Sequence, residues 1–446
     1  MHPPLTTPYR LWGAVTEILP GMIMVSGVGH AVGIGDSVII DKPGQSLIGE
    51  VMSVTDALVK VLMFSSTDAA RIGDRAYFSQ QDQVNVSDQW LGALVNYRGD
   101  VQMRKVPAPA QSHTVKMPLQ RPALPPALRK PLGSRLSTGL NVTDTLLPVC
   151  HGQRIGLFAG SGVGKSTLLG RLAGRMSADR IVIALIGERS REVQEFIDEV
   201  LPADVLPKTT IVAATASEPP GAKKRAAFCA MAAAEYYRDQ GHSVLFLFDS
   251  LTRFAEAHRE TALLAGETPA LNAFPPSTVR VVSELAERTG PGTKSSGDIT
   301  AIFSVLVAGS DFEEPVADMV RGILDGHIVL SRKIAERGRF PAIDVLRSVS
   351  RSLPKAATES QNDSLQLFRT LMMTYEEIAP MIRAGLYEFG KDPNADIAYT
   401  LFPELDRYLT ENSDDIATAF DYLDGLLTPA RSVNDAQPST EPLEPA

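Results

Sequence analysis

The segment Ala159-Gly160-Ser161-Gly162-Val163-Gly164-Lys165-Ser166 lies between the apolar run Arg154 to Phe158 and the helix-forming start Thr167-Leu168-Leu169. It restricts the chain to folds in which a strand feeds a phosphate-binding loop and then a helix. Glycines at 160, 162 and 164 let backbone N–H groups curl around phosphate oxygens. Lys165 then reaches the β- and γ-phosphates, and the Ser166 hydroxyl joins the shell of a Mg²⁺ ion. The helix opening at Thr167 adds partial positive charge. A chance Gly-rich turn would lack the strand before and the helix after, so the pattern implies ATP and Mg²⁺ as ligands. The first loop position is Ala159 rather than glycine.

Further apolar runs at Ile181 to Ile186, Ile211 to Ala214, Val244 to Phe248 and Ile299 to Val307 alternate with segments of helical length. Continuous apolar strands separated by helices predict an α/β fold with a parallel sheet covered on both faces. Ligands in such sheets bind outside the carboxyl ends of the strands, so the residues just past each run are the candidates for the site. The run Ile181 to Ile186 ends in Gly187-Glu188-Arg189. There Glu188, beside the P-loop strand, is placed to polarise the water that attacks the γ-phosphate, with Arg189 adjoining. A solvated glutamate in the first turn of a helix accounts for that spacing equally well. Glu192, one turn on, is placed to orient Arg189 or line the pocket. The run Ser243 to Phe248 ends in Asp249, the Walker B pattern in which the carboxylate holds Mg²⁺ through water. Arg253 is a candidate partner for Asp249 or for a neighbouring subunit. Further on, Phe340 is a candidate adenine platform and Arg351, after Ser348-Val349-Ser350, a candidate arginine finger, although an Arg after such a turn is more often a surface residue.

The flanks differ in texture. Short β-branched runs at Met22 to Val25, Ser37 to Ile40, Gly49 to Val54 and Val59 to Phe64, separated by Gly- and Pro-containing turns, predict a small β-barrel over residues 1–95. Pro107, Pro109, Pro122, Pro125, Pro126 and Pro131 mark a linker over 96–135 that continues neither a helix nor a central strand. The ATPase core is expected over 136–358. Periodic apolar positions (Leu365, Leu367, Phe368, Leu371, Met372, Ile382, Leu386) predict a helical domain over 359–428, and the Pro-, Ser-, Thr- and Glu-rich stretch 429–446 reads as a disordered tail.

The net charge of −9 argues against a general nucleic-acid binder. The two cysteines, Cys150 and Cys229, form no CxxC spacing and fit a reducing compartment, with Cys229 read as a buried helical thiol. The N-terminal residues lack a signal-peptide pattern and no apolar run spans a bilayer, so a cytoplasmic protein is expected.

The combination of AGSGVGKST (159–167), IGERSREV (186–193), LFLFDSLTRFAEAHRE (245–260), AGETPA (265–270), RGILDGHIVLSR (321–332) and FPAID followed by SVSR (340–351) resembles the type III secretion and flagellar export ATPases, relatives of the catalytic subunits of rotary ATP synthases. The likeness is greatest to the flagellar branch, over the loop 159–166 and its GLFAGSG approach. It implies an N-terminal β-barrel, a RecA-like P-loop ATPase core and a C-terminal helical domain, assembled as a homohexamer. It matches Glu188 to the water-activating glutamate, Arg351 to the finger that enters the neighbouring site, Phe340 to the adenine-packing aromatic, and Lys165, Ser166 and Asp249 to the phosphate and Mg²⁺ residues. It further implies a FliH-like regulator, a FliJ-like stalk, export-gate membrane proteins and export substrate or chaperone complexes as partners, with peripheral association at the inner-membrane export apparatus. The chain departs from the pattern at Trp90 to Asp100 and in a very short stretch before the barrel, which bears on the regulator contact. An injectisome ATPase shares the same chemistry. A rotary synthase subunit is disfavoured because the C-terminal region reads Thr400-Leu401-Phe402-Pro403-Glu404-Leu405-Asp406 in place of a DELSEED-type run. Glu188 speaks against a non-hydrolysing ring subunit, and the acidic balance against an RNA-translocating ring.

Overall fold

Apolar side chains at every second position give a strand one face to bury, and the first part of the chain uses that face to close a barrel. The computed structural model describes residues 11–79, 82–110, 112–269, 274–307 and 314–436. Strands β1 (Leu11–Leu19), β2 (Met22–Ser26), β3 (Ser37–Lys42), β4 (Gln45–Val54), β5 (Leu58–Met63) and β6 (Arg75–Ser79) close in the order β1-β2-β5-β4-β3-β6. Ile23 and Val25, Val38 and Ile40, Val59 and Val61, and Ala76 and Phe78 fill its interior.

The barrel therefore closes at Ser79, short of the expected boundary at 95. Strand β7 (Gln83–Ser87) leaves it to pair with β10 (Thr114–Pro118). Between them, β8 (Ala93–Val95) hydrogen-bonds in parallel to a core strand, and β9 (Val101–Arg104) pairs with β8 at the sheet edge. Part of the stretch read as barrel and linker thus belongs to the core sheet. The six prolines that mark the linker lie outside these strands, and Pro118 stands only at the last position of β10, so the pairing is intact.

After the short pair β11 (Arg135–Leu136) and β12 (Val149–Cys150), with helix α1 (Asn141–Asp144) between them, come the core strands. They are β13 (Arg154–Ala159), β14 (Arg180–Glu188), β15 (Thr209–Thr215), β16 (Val244–Asp249), β17 (Ile299–Leu306), β18 (Gly326–Leu330) and β19 (Ile343–Ser350). The nine-stranded sheet has the order β19-β18-β13-β17-β16-β14-β15-β8-β9, with β19 antiparallel to β18 and β9 antiparallel to β8. Both faces are buried. On β14, Val182, Ala184 and Ile186 join one core while Ile181, Ile183 and Leu185 join the other. Helices α4 (Pro220–Asp239), α5 (Leu251–Leu264), α6 (Ser277–Glu287) and α7 (Pro315–Ile323) cover the first face, and α2 (Lys165–Arg175) and α3 (Ser190–Glu195) the second. Cys229 is buried in α4, as read from its Ala-rich run.

Past the short α8 (Arg332–Ala335), the chain ends in α9 (Glu359–Arg383), α10 (Pro393–Tyr408) and α11 (Ile416–Ala436). Thr358 and Gln361 form a reciprocal capping box that starts α9. These helices pack Phe368, Leu405 and Leu423 onto the second sheet face. Helix α11 overturns the tail boundary at 429, because Phe420, Leu423, Leu427 and Ala430 keep a buried helical stripe running past Pro429. Arg431 also bonds Asp424 at 2.6 Å and Ser364 at 2.7 Å. The residues before the barrel (1–10), Ala270 of the AGETPA motif and the rest of the tail (437–446) lie outside the described residues. Among the described residues no helix is long and apolar enough to cross a membrane.

Leu386, grouped by periodicity with the buried positions, lies beyond the end of α9 and is 68% exposed, whereas Leu427 is fully buried. Leu427→Ala should therefore cost about 2–5 kcal/mol in chemical denaturation, and Leu386→Ala under about 0.5 kcal/mol.

Candidate functional site

Strand β13 delivers the P-loop, and α2 starts at Lys165, directly after Gly164. Gly162 and Gly164 hold φ of +76° and +86°, a conformation that L side chains rarely adopt, so this loop requires glycine at both positions. A Cβ on Gly162 would meet nothing within 4 Å, which leaves the mouth of the loop open for an anion. Beside Gly164 lies the half-exposed ring of Phe340, 3.3 Å from where such a Cβ would sit. Phe340 thus flanks the P-loop of its own chain. Arg332 donates from Nη2 to the Ser161 carbonyl at 3.3 Å.

The sheet order corrects one expectation. The strand carrying Glu188 is not beside the P-loop strand, since β17 and β16 stand between them. Glu188 also closes β14 as its last residue, paired with Thr215, so it is not a helix-start residue. The site is assembled by reach across strand ends. The Lys165 ammonium contacts the Asp249 carboxylate and lies 3.7 Å from Glu188 Oε1. Ser304, on β17, donates its buried hydroxyl to the same Asp249 oxygen at 2.5 Å. Sequence reading missed Ser304, and a serine inside an apolar strand carries no local signal.

A cavity of about 190 Å³ opens over this cluster, lined by Ser166, Thr167, Glu188, Glu192 and Asp249 among others. Burial, and next the charge of Asp249, push the Glu188 carboxyl up to about 7, although Lys165 pulls the other way. A carboxylate so poised suits proton handling near neutral pH. A larger cavity of about 780 Å³ lies at the junction of barrel and core, beside Ile34, Met52, Gln120 and His258, and contains no P-loop residue. Charges there are matched within the protein, Lys224 with Glu50 at 3.7 Å and Arg280 with Glu284 at 3.1 Å. The groups suited to phosphate and a cation thus gather at the smaller space.

The donor set fits a nucleotide and a hard cation. Lys165 and Asp249 pair with each other, and a phosphate would take the ammonium while a divalent cation took the carboxylate. The Ser166 hydroxyl and Asp249 are oxygen ligands of the kind Mg²⁺ prefers. Among the described residues no group of three or more His, Cys, Asp or Glu side chains could hold a metal ion. A cation here would depend on phosphate oxygens and water for the rest of its shell.

Three arginine candidates remain. Arg189 is exposed and pairs with Glu192 at 3.1 Å. Arg253 does not pair with Asp249; its guanidinium donates to Glu256 at 2.9 Å, and its backbone N–H donates to the Ser250 hydroxyl oxygen at 3.3 Å. Arg351 comes directly after β19, where Ser350 sits opposite Gly326, one residue before the His327 that faces Gly156. Arg351 thus emerges level with Arg154, at the far end of β13 from the P-loop. That offset is roughly 15–20 Å along the strand at ~3.3 Å per residue, farther than an arginine side chain reaches. One chain cannot bring Arg351 to its own P-loop.

The raised Glu188 carboxyl has a stability consequence. The fold favours its neutral form, so its contribution is fully present below the ordinary carboxylate range near ~4.3 and is lost as pH rises through about 7. Glu188→Gln, neutral throughout, should melt higher than the parent at pH 8 by about 2 °C or more, with the difference closing toward pH 4.5 in thermal denaturation.

Residues 139–350 match the ATP synthase alpha/beta family, nucleotide-binding domain, and residues 357–428 match the T3SS EscN ATPase C-terminal domain. The chain is 40% identical over 430 residues to the flagellum-specific ATP synthase of Treponema pallidum, covering 94% of each. It is 38% identical to the SPI-2 type 3 secretion system ATPase of Salmonella typhimurium, covering 92% of each. Among solved structures, the assembled ATPase EscN of the enteropathogenic E. coli type III secretion system superposes with a TM-score of 0.84 at 36% identity, over 93% of this chain and 99% of that one. The same ATPase in complex with its central stalk EscO gives a TM-score of 0.83, with the same identity and coverage. With a barrel, a RecA-like core and a helical C-terminal domain in the same order along nearly its whole length, the chain belongs to the family of flagellar and type III secretion ATPases within the ATP synthase alpha/beta group.

Proposed function

We propose that this chain is a Mg²⁺-dependent ATPase that works as a homohexameric ring and energises or primes type III protein export for flagellum assembly. The observation that carries the reading is the convergence of Lys165, Asp249 and Glu188 from three strand ends beside an open P-loop. In this reading the backbone N–H groups of residues 160–167 and the Lys165 ammonium bind the phosphates, and Phe340 packs on the adenine. Ser166 and Asp249 hold Mg²⁺, which when bound neutralises charge on the β- and γ-phosphates. Ser304 fixes the Asp249 carboxylate, and Glu188 orients and polarises the attacking water. Arg189 acts through Glu192 at the rim of the cavity. Arg351 stabilises transferring charge in the site of the next subunit, a role supported by its distance from its own P-loop.

The ring is supported by the assembled state of the EscN relative, and a FliJ-like stalk by the EscN complex with EscO. A FliH-like regulator, export-gate membrane proteins and export substrate or chaperone complexes enter through the family resemblance, as does a cytoplasmic place at the inner-membrane export apparatus. The reading includes no nucleic-acid partner. The flagellar assignment over an injectisome rests on the flagellum-specific relatives, one of them 40% identical over 94% of the chain, against 38% over 92% for the SPI-2 ATPase.

Lys165→Ala should abolish ATP hydrolysis, whereas Glu188→Gln should bind ATP with near-parent affinity and scarcely cleave it. Loss of nucleotide binding in Glu188→Gln would make Glu188 structural. In a deletion strain, the parent gene should restore flagella and Glu188→Gln should not. Normal flagella in the deletion strain would contradict the export assignment.

A further inference from the structure

We propose that Asp325, clamped by Arg154, is a positioning residue for Arg351, setting where that guanidinium leaves the subunit; this rests on reading Arg351 as the finger that serves the neighbouring site. Arg351 is exposed, and its Nη2 donates to the Arg321 carbonyl at 3.2 Å. Its backbone is held more firmly. The Arg351 N–H donates to the Asp325 carbonyl at 3.0 Å, and the Asp325 N–H donates to the Arg154 carbonyl at 2.8 Å.

The Asp325 side chain closes the arrangement. Its Oδ2 accepts from the Arg154 N–H and from Arg154 Nε, both at 3.0 Å, and its Oδ1 accepts from Arg154 Nη2 at 3.1 Å. A planar guanidinium gripping a carboxylate in this forked way fixes orientation as well as distance. Arg154 is steadied in turn by Glu287, whose Oε1 accepts from Nη1 at 2.5 Å. The fully buried Gln153 donates to both the Asp325 carbonyl, at 3.2 Å, and the Ser350 hydroxyl, at 3.0 Å. The next residue, Gly326, has φ of +149°, and a Cβ there would lie 2.5 Å from the Val349 carbonyl. Only glycine lets the two strands approach closely enough for Asp325 to reach Arg351.

The topology has two consequences. Arg154 opens β13, the strand that ends in the P-loop, so the root of the finger is bonded to the root of the strand that carries the chain's own phosphate loop. And Asp325 sits in the turn between α7 and β18, away from Lys165, Asp249 and Glu188. Its effect should therefore fall on turnover in the partner's site rather than on nucleotide affinity in its own.

The test is a double-mutant cycle on the full-length, assembled enzyme, reading kcat and KM for ATP. Asp325→Asn keeps the shape of the side chain and removes the charge that Arg154 grips. It should lower kcat about ten- to a hundredfold, as misplacement of a reacting group does, with KM changed by less than about twofold. In an Arg351→Ala background it should cost nothing further, because the group it positions is gone. If Asp325→Asn does not fold, Arg154→Lys, which keeps the charge and loses the fork, carries the same cycle. Parent-like kcat in Asp325→Asn, or losses that multiply with Arg351→Ala, would overturn the positioning role while leaving the finger in place. Parent-like kcat in Arg351→Ala alone would overturn the finger reading, and the positioning role with it.

Discussion

The Lys165 ammonium lies against Asp249 and within 3.7 Å of Glu188, and most of the site's architecture exists to make that meeting possible. The strands that end in Asp249 and Glu188 are neighbours, but β17 separates both from the P-loop strand. Burial, and next the nearby charge of Asp249, raise the proton affinity of the Glu188 carboxyl, and the Lys165 ammonium relieves part of that cost. The relief is incomplete, which is why Glu188 titrates near neutrality. The same frustration makes the cluster receptive, because a phosphate and a divalent cation match both signs better than the protein groups match each other.

The second constraint is directional. All the nucleotide groups gather at the carboxyl ends of the parallel strands, but β19 runs the other way and releases Arg351 at the opposite end. On the proposed reading, a chain that holds the phosphate half of a site at one end and its finger arginine at the other is incomplete alone. Identical copies placed head to tail in a closed ring complete every site at once. The clamp from Arg154 through Asp325 gives that arginine a fixed point of departure, rooted on the strand whose other end cradles phosphate.

The parts of this site carried by local chemistry are readable in the sequence alone. The P-loop announces itself by glycines, lysine and serine in register between strand and helix, and Asp249 by a charge closing an apolar run. Strand order is not readable, since it depends on which strand inserts where, so sequence reasoning places Glu188 beside the wrong neighbour. Ser304 is silent in sequence because a small hydroxyl tolerates burial in any strand. Asp325 looks like an ordinary turn residue until Arg154, distant in sequence, is brought alongside. Strands β8 and β9 are too short to show a period, and composition around Pro429 hides a helical stripe that spacing alone would show.

On the proposed reading, a working site is built from two copies of the chain. Mixing Lys165→Ala subunits with Arg351→Ala subunits, each inactive alone, tests this under conditions where subunits exchange. Some mixed interfaces then unite an intact P-loop from one copy with an intact Arg351 from the next, and ATPase activity should partly return. A mixture that exchanges subunits and stays as inactive as its two parents would contradict the shared site.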